Sequence, residues 1–149
     1  MPEFLEVTVD KFTFKVATDR FYTREGVWVL PEADRGRIGL SDFLQQRSGD
    51  IAFAEIKPVG TALAIGDEVA SIETIKVNVA LSAPVNGTLI EVNPAMETAP
   101  EAINQDPYGA GWLAVIAPTD WEADRTRLLD PPAYFALMKA EAEAEAKNL

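Results

Sequence analysis

The stretch from Gly66 to Gly87 constrains the fold of this chain more than any other. Two extended runs, Val69-Ala70-Ser71-Ile72-Glu73-Thr74 and Val77-Asn78-Val79-Ala80-Leu81, stand on either side of Ile75-Lys76. Each is short and rich in β-branched residues, the pattern of a strand with one face turned inward. Gly66-Asp67 precedes the pair, and Pro84 and Gly87 follow it, residues that punctuate turns. Near-equal strands around so short a connection form a hairpin, so Lys76 is predicted to project from its tip.

The same signals recur along the chain. Residues 4–16 alternate, with Phe12, Phe14 and Val16 on one face and Lys11, Thr13 and Lys15 on the other, and they predict one half-buried strand. Further strands are predicted over Val27–Leu30, ended by Pro31, and over Arg37–Leu40, Ile51–Ile56, Thr88–Val92 and Trp112–Ile116. Ser41 reads as the N-cap of a short helix from Asp42 to Arg47 that Gly49 stops. Thr98 with Glu101, and Thr119 with Glu122, have capping-box spacing and predict helices reaching Asn104 and Leu129. Asp130 caps a last helix opened by Pro131-Pro132, whose Ala-Glu repeat reads as a solvated, frayed end. The whole is a mainly β body with short helices, one domain over residues 1–149. An N-terminal strand extension covers 1–19 and a C-terminal helical tail covers 130–149.

Two zeros narrow the chemistry. None of the 149 residues is cysteine or histidine. Disulfides, thiolate nucleophiles and zinc-thiolate sites are excluded, as are serine–histidine and cysteine–histidine machinery. A self-sufficient enzyme using common chemistry is therefore not expected, and no metal site is predicted. A net charge of −11 without any local lysine–arginine cluster opposes nucleic-acid binding. No apolar run approaches the ~20 residues of a membrane span. The first residues lack the basic and apolar regions of a signal peptide. The expectation is a cytoplasmic protein.

A lysine between apolar neighbours is, on spacing alone, an ordinary solvated side chain. A hairpin tip gives it a different use, because a modifying enzyme can reach the amine and an attached arm can then swing freely. Trp28, Trp112 and Tyr108 read as core aromatics. Asp67 and the run Asp106-Pro107-Tyr108-Gly109 read as turn residues.

The ordered motifs around this lysine carry a resemblance. They include Tyr22-Thr23 and Trp28-Val29, Gly39-Leu40-Ser41-Asp42-Phe43-Leu44-Gln45, and Gly49-Asp50-Ile51-Ala52-Phe53-Ala54-Glu55-Ile56. They continue through Glu73-Thr74-Ile75-Lys76 and Ala83-Pro84-Val85-Asn86-Gly87 to Asp106-Pro107-Tyr108-Gly109-Ala110-Gly111-Trp112-Leu113. Over roughly residues 20 to 140 the chain resembles the H protein family of the glycine cleavage system. The resemblance implies a barrel-sandwich hybrid of the lipoyl/biotinyl type, with lipoic acid amide-linked to Lys76 and Glu73 a candidate for recognition by the attaching ligase. It implies a non-catalytic, monomeric carrier, loaded by a lipoate ligase or lipoyl transferase. The Ala-Met-Lys-Met setting usual for biotin is absent, since Ile75 and Val77 flank the lysine.

The chain also departs from that pattern. The family usually has a His-Glu-Trp run where this chain has Gly26-Val27-Trp28, and the resemblance implies that the histidine helps line a cleft sheltering the arm. Around Lys76 the surroundings are more apolar and β-branched than usual. Those departures resemble the H-like lipoate-binding proteins of sulfur oxidation. The expectation is a carrier serving a heterodisulfide-reductase-like complex. The alternatives are a glycine cleavage carrier of the aminomethyl group, working with the glycine cleavage enzymes, and an unmodified adaptor.

Overall fold

The computed structural model describes residues 3–147. The first two residues of the predicted extension and the last two of the predicted tail lie outside the described residues. In chain order the strands are β1 (Phe4–Val9), β2 (Phe12–Ala17), β3 (Phe21–Tyr22), β4 (Val27–Glu32), β5 (Arg35–Leu40) and β6 (Ile51–Ile56). They continue as β7 (Ala62–Leu63), β8 (Glu68–Thr74), β9 (Asn78–Ser82), β10 (Gly87–Val92) and β11 (Ala114–Pro118). The helices are α1 (Asp42–Ser48), α2 (Ala95–Thr98), α3 (Ala102–Gln105), α4 (Trp121–Asp124) and α5 (Pro131–Lys147).

Two sheets enclose the main core. One has six strands in the order β3-β4-β5-β11-β10-β7, the other three in the order β6-β8-β9. Period-two alternation turns Val27 and Val29, Ile38 and Leu40, Leu89 and Ile116 inward from the larger sheet. Val69, Ile72 and Leu81 meet them from the smaller one. This is the mainly β body that periodicity predicts, in the barrel-sandwich arrangement that the resemblance implies.

A second core lies outside that sandwich. Strands β1 and β2 form a separate antiparallel hairpin, and Phe14 and Val16 from it pack with Trp28, Phe43, Tyr134 and Met138. Side chains of the body stitch the hairpin down: Tyr108 donates to the Lys15 carbonyl at 2.7 Å, and Asp42 accepts the Lys15 amide at 2.9 Å. Arg20, almost wholly buried, is paired with Asp19 at 2.7 Å and stacked 4.5 Å from the Trp28 ring.

Several local predictions change. The run 4–16 is two strands, turned at Asp10 with φ of 58°; an aspartate adopts this backbone more readily than most residues, and no glycine signals it. Strand β4 passes through Pro31 to Glu32. Strand β3 pairs only with Trp28 and Val29, so beyond them β4 has a free side on which proline is tolerated. Thr98 ends α2 and does not open a helix, and Glu101 precedes α3 with no side-chain cap. The cap before α4 is Asp120, whose carboxylate accepts the Ala123 amide at 3.2 Å, one residue after the predicted Thr119. The last strand starts at Ala114, two residues later than expected. Helix α5 is not a frayed end: Tyr134, Met138 and Ala142, spaced four apart, are buried against the hairpin side. Its cap and start are as predicted, with Asp130 accepting the Ala133 amide at 2.9 Å.

Candidate functional site

Strands β8 and β9 meet in a three-residue connection, Ile75-Lys76-Val77. Their pairing runs from Glu68–Ser82 to Glu73–Asn78, with β6 on the other side of β8. The tip therefore rests on a three-stranded support and not on an isolated ribbon. Thr74 closes it. Its backbone amide donates to the Val77 carbonyl at 2.9 Å, and its hydroxyl accepts from the Val77 amide at 2.9 Å and the Lys76 amide at 3.2 Å. Thr74 thus holds the turn, a role beyond its place in the Glu73-Thr74-Ile75-Lys76 motif. Its signal was available, since a threonine two or three residues before a tip amide is a known side-chain turn.

Lys76 is exposed at this apex, as predicted, between Ile75 at 84% and Val77 at 49% exposure. The lysine stem does not stand free. It lies toward the end of α1, where a Cβ on Gly49 would be 3.9 Å from its Cδ. Ser41 and Gly49 cap α1 as the sequence implies, and Gly49 takes φ of 89°, a conformation that favours glycine. Asn104 fixes this junction, accepting from the Ile51 amide at 2.9 Å and donating to Gln45 Oε1 and the Gly49 carbonyl at 3.0 Å each.

Glu73 is exposed on the outer face of β8, opposite Phe53 on β6 and Asn78 on β9. Phe53 is 68% exposed and was not singled out from the sequence. Asp67 is a turn acid, accepting the Ala64 amide at 2.9 Å. Trp28 is fully buried and donates to the Leu40 carbonyl at 2.9 Å, the core role expected of it. Among the described residues no group of three or more acidic, histidine or cysteine side chains is placed to hold a metal ion. Among the described residues no helix is long and apolar enough to cross a membrane.

Beside Lys76 opens a groove of about 350 Å³ between the β1–β2 hairpin, α1 and the end of α5. Its aromatic strip is graded. Phe14 and Phe43 meet edge to face at 5.2 Å, and Phe12, 54% exposed, stacks on Phe14 at 6.4 Å. Gly26 does not line this groove. It is buried with φ of 101°, and a Cβ there would stand 3.0 Å from Ser41 Oγ and from the Tyr134 hydroxyl. A side chain is strained on this backbone and would crowd those two oxygens, so packing around Ser41 and Tyr134 accounts for a glycine where the family usually has histidine.

A profile of the glycine cleavage H-protein family matches residues 20–141. The glycine cleavage system H protein of Thermus thermophilus is 40% identical over 127 residues, covering 85% of this chain and 98% of the relative. That of Bacteroides fragilis is 40% identical over 119 residues, covering 80% of this chain and 94% of the relative. In three dimensions the chain is similar to the crystal structure of a glycine cleavage system H protein from Mycobacterium marinum. The TM-score is 0.71 at 32% identity, over 80% of this chain and 95% of that one. Motifs, sandwich and apical lysine agree with these likenesses: the chain belongs to the glycine cleavage H-protein family, whose members are non-catalytic carriers with lipoic acid linked covalently to a lysine.

Proposed function

We propose that the whole chain works as one cytoplasmic carrier unit of glycine cleavage, bearing lipoic acid in amide linkage on Lys76. The observation that carries this reading is an exposed lysine at the apex of a hairpin whose first strand is backed by β6, in a chain 40% identical to an H protein over nearly its full length. The site fits the group. Lys76 offers its amine at the tip, and Gly49 leaves room for the lysine stem. Glu73, on the open face beside the tip, offers a carboxylate to the lipoate ligase or lipoyl transferase.

When bound, the lipoyl group supplies a strained cyclic disulfide that can be reduced or can take a group on sulfur. The residues of this chain present and orient it. Thr74 keeps the tip closed, the sheet keeps it upright, and the tether replaces diffusion of a free cofactor with a high local concentration at each partner. The glycine cleavage enzymes are the partners of this reading, with the aminomethyl group as cargo. Acylation of Lys76 removes one positive charge, taking the chain from −11 to about −12. Docking surfaces on the partners should be basic and binding should weaken with salt.

A carrier serving a heterodisulfide-reductase-like complex is the second reading. It is favoured by the two exposed β-branched neighbours of the lysine, Ile75 and Val77; the missing histidine no longer supports it. Intact mass after expression with a lipoate ligase tests the common part: one lipoyl increment, lost in Lys76→Arg. No increment with any lipoylation system would leave an unmodified adaptor. Glycine-dependent turnover of the lipoylated protein with glycine cleavage enzymes then decides between the two carriers, and its absence would sink the first.

A further inference from the structure

The small sheet turns an aromatic ring out to solvent one strand away from the lysine tip. Strand β6 carries one extra residue there: Ile51 stands opposite Thr74 and Phe53 opposite Glu73, so Ala52 is a bulge. Strict alternation from the buried Ile51 would point Phe53 into the core. The bulge reverses the phase. Ala54 and Ile56 then pack against the core, while Phe53 and Glu55 face outward. Phe53 is thereby the most exposed aromatic residue among those described. It does not line the groove beside Lys76, so it belongs to a separate surface.

That surface has a definite chemistry. Of the six large apolar side chains exposed among the described residues, Phe53, Ile75 and Val77 lie at the tip or one strand from it. Grouped apolar exposure marks an interaction site, which scattered single side chains do not. The polar setting is acidic, with Glu73 opposite Phe53 and Glu55 following on the same face. Neither carboxylate makes an ion pair among the described residues, whereas Lys57 is engaged by Glu68 at 3.3 Å. A second copy of this chain would set like charges against each other. The complementary surface is apolar at its centre and basic around it.

We propose that the outer face of the β6-β8-β9 sheet is the docking surface for the enzyme that attaches lipoate, with Phe53 as its apolar anchor and Glu55 as a flanking charge. The proposal rests on Lys76 being the lipoyl site. The occupant follows from reach. An enzyme acting on the lipoyl sulfurs meets them at the far end of the arm and need not touch the sheet. The attaching enzyme must bring its own active site to the Lys76 amine, so its footprint covers the residues around the tip. Phe53 and Glu55 then extend the contact beyond Glu73 on a rigid, three-stranded support.

The test uses the unmodified full chain as acceptor for a lipoate ligase, with initial rates followed by intact mass over a range of acceptor concentrations. Wild type is compared with Phe53→Thr, Phe53→Tyr and Glu55→Lys. All three changes are at exposed strand positions, and threonine and tyrosine suit a strand, so urea midpoints should stay near that of wild type. Phe53→Thr should raise KM several-fold with little change in kcat, and Phe53→Tyr should restore most of the loss. Glu55→Lys should also raise KM and should flatten its dependence on salt. Equal KM values for all four proteins would overturn the docking surface. So would a fall in kcat alone, which would report a distorted tip, or a defect seen only when the lipoylated variants turn over with the glycine cleavage enzymes. Failure of wild-type Lys76 to take up the group at all would instead overturn the underlying carrier reading.

Discussion

The Thr74 hydroxyl accepts the Val77 amide at 2.9 Å and donates to the Val77 carbonyl at 2.9 Å, so one side chain closes the turn that presents Lys76. Replacing it by valine keeps the β-branched shape and removes both bonds along with the 3.2 Å contact to the Lys76 amide. At an exposed turn each such bond contributes about 1 kcal/mol or less, so Thr74→Val should fold normally. The tip should loosen, and lipoylation under limiting ligase should slow several-fold, with Thr74→Ser restoring most of the rate. Equal rates for wild type and Thr74→Val would remove Thr74 from any presenting role.

The contrast between tip and groove shows what a sequence makes legible. The hairpin around Lys76 is local: strand period, flanking Gly66 and Pro84, and the central lysine all lie within one short window. The helix Asp42–Ser48 was legible for the same reason, because Ser41 and Gly49 carry its caps. The groove was not. It needs Phe12, Phe43, Lys76 and Glu145 together, from four elements whose proximity is set by tertiary packing. Its hairpin wall was misread as one strand because Asp10 and Lys11 make the turn without glycine. The acidic end of α5 reads as solvated because its buried anchor there, Ala142, is small and stands between Glu141 and Glu143.

Gly26 gives the second prediction. Its φ of 101° strains any side chain, and a Cβ would crowd the Ser41 and Tyr134 oxygens at 3.0 Å. The Ser41–Tyr134 hydrogen bond, 2.8 Å and buried, would be displaced. Gly26→His should therefore cost ~2–4 kcal/mol in urea unfolding, combining backbone strain with disrupted packing. It should not alter cargo preference at Lys76. A variant as stable as wild type would refute this account of the missing histidine.

The third prediction concerns alkaline pH. Burial pushes the Tyr108 phenol up to about 12, and burial also holds Tyr22 and Tyr134 well above the ordinary tyrosine value of 10.0. The folded state thus keeps protons that the unfolded state releases. The stability tied to these protons is fully present below about pH 10 and is lost as pH rises through 10 toward 12. Urea midpoints at increasing pH should fall only above that point, and phenolate absorbance from these three residues should appear together with unfolding. Tyrosine ionisation that ran to completion near pH 10 with the fold intact would contradict their burial.

Asn104 ties the support of Lys76 to the rest of the molecule. Its carbonyl oxygen takes the first amide of β6, at Ile51, while its amide group bridges Gln45 Oε1 and the Gly49 carbonyl. Gln45 cannot readily turn over to adapt, because its own amide already donates to Asp42 at 2.9 Å. Asn104→Ala should cost about 2–3 kcal/mol, the loss of three partly buried hydrogen bonds. Asn104→Asp should do no better: it keeps the acceptor for Ile51 but sets a carboxylate against two other acceptors. Both variants should broaden NMR signals at residues 49–51 and 75–77 while leaving the distant β4–β5 turn sharp, because Gly49 lies directly under the Lys76 stem. Unchanged signals at 75–77 in both variants would show that the tip is independent of this junction, and that β8 and β9 alone set the position of the lysine.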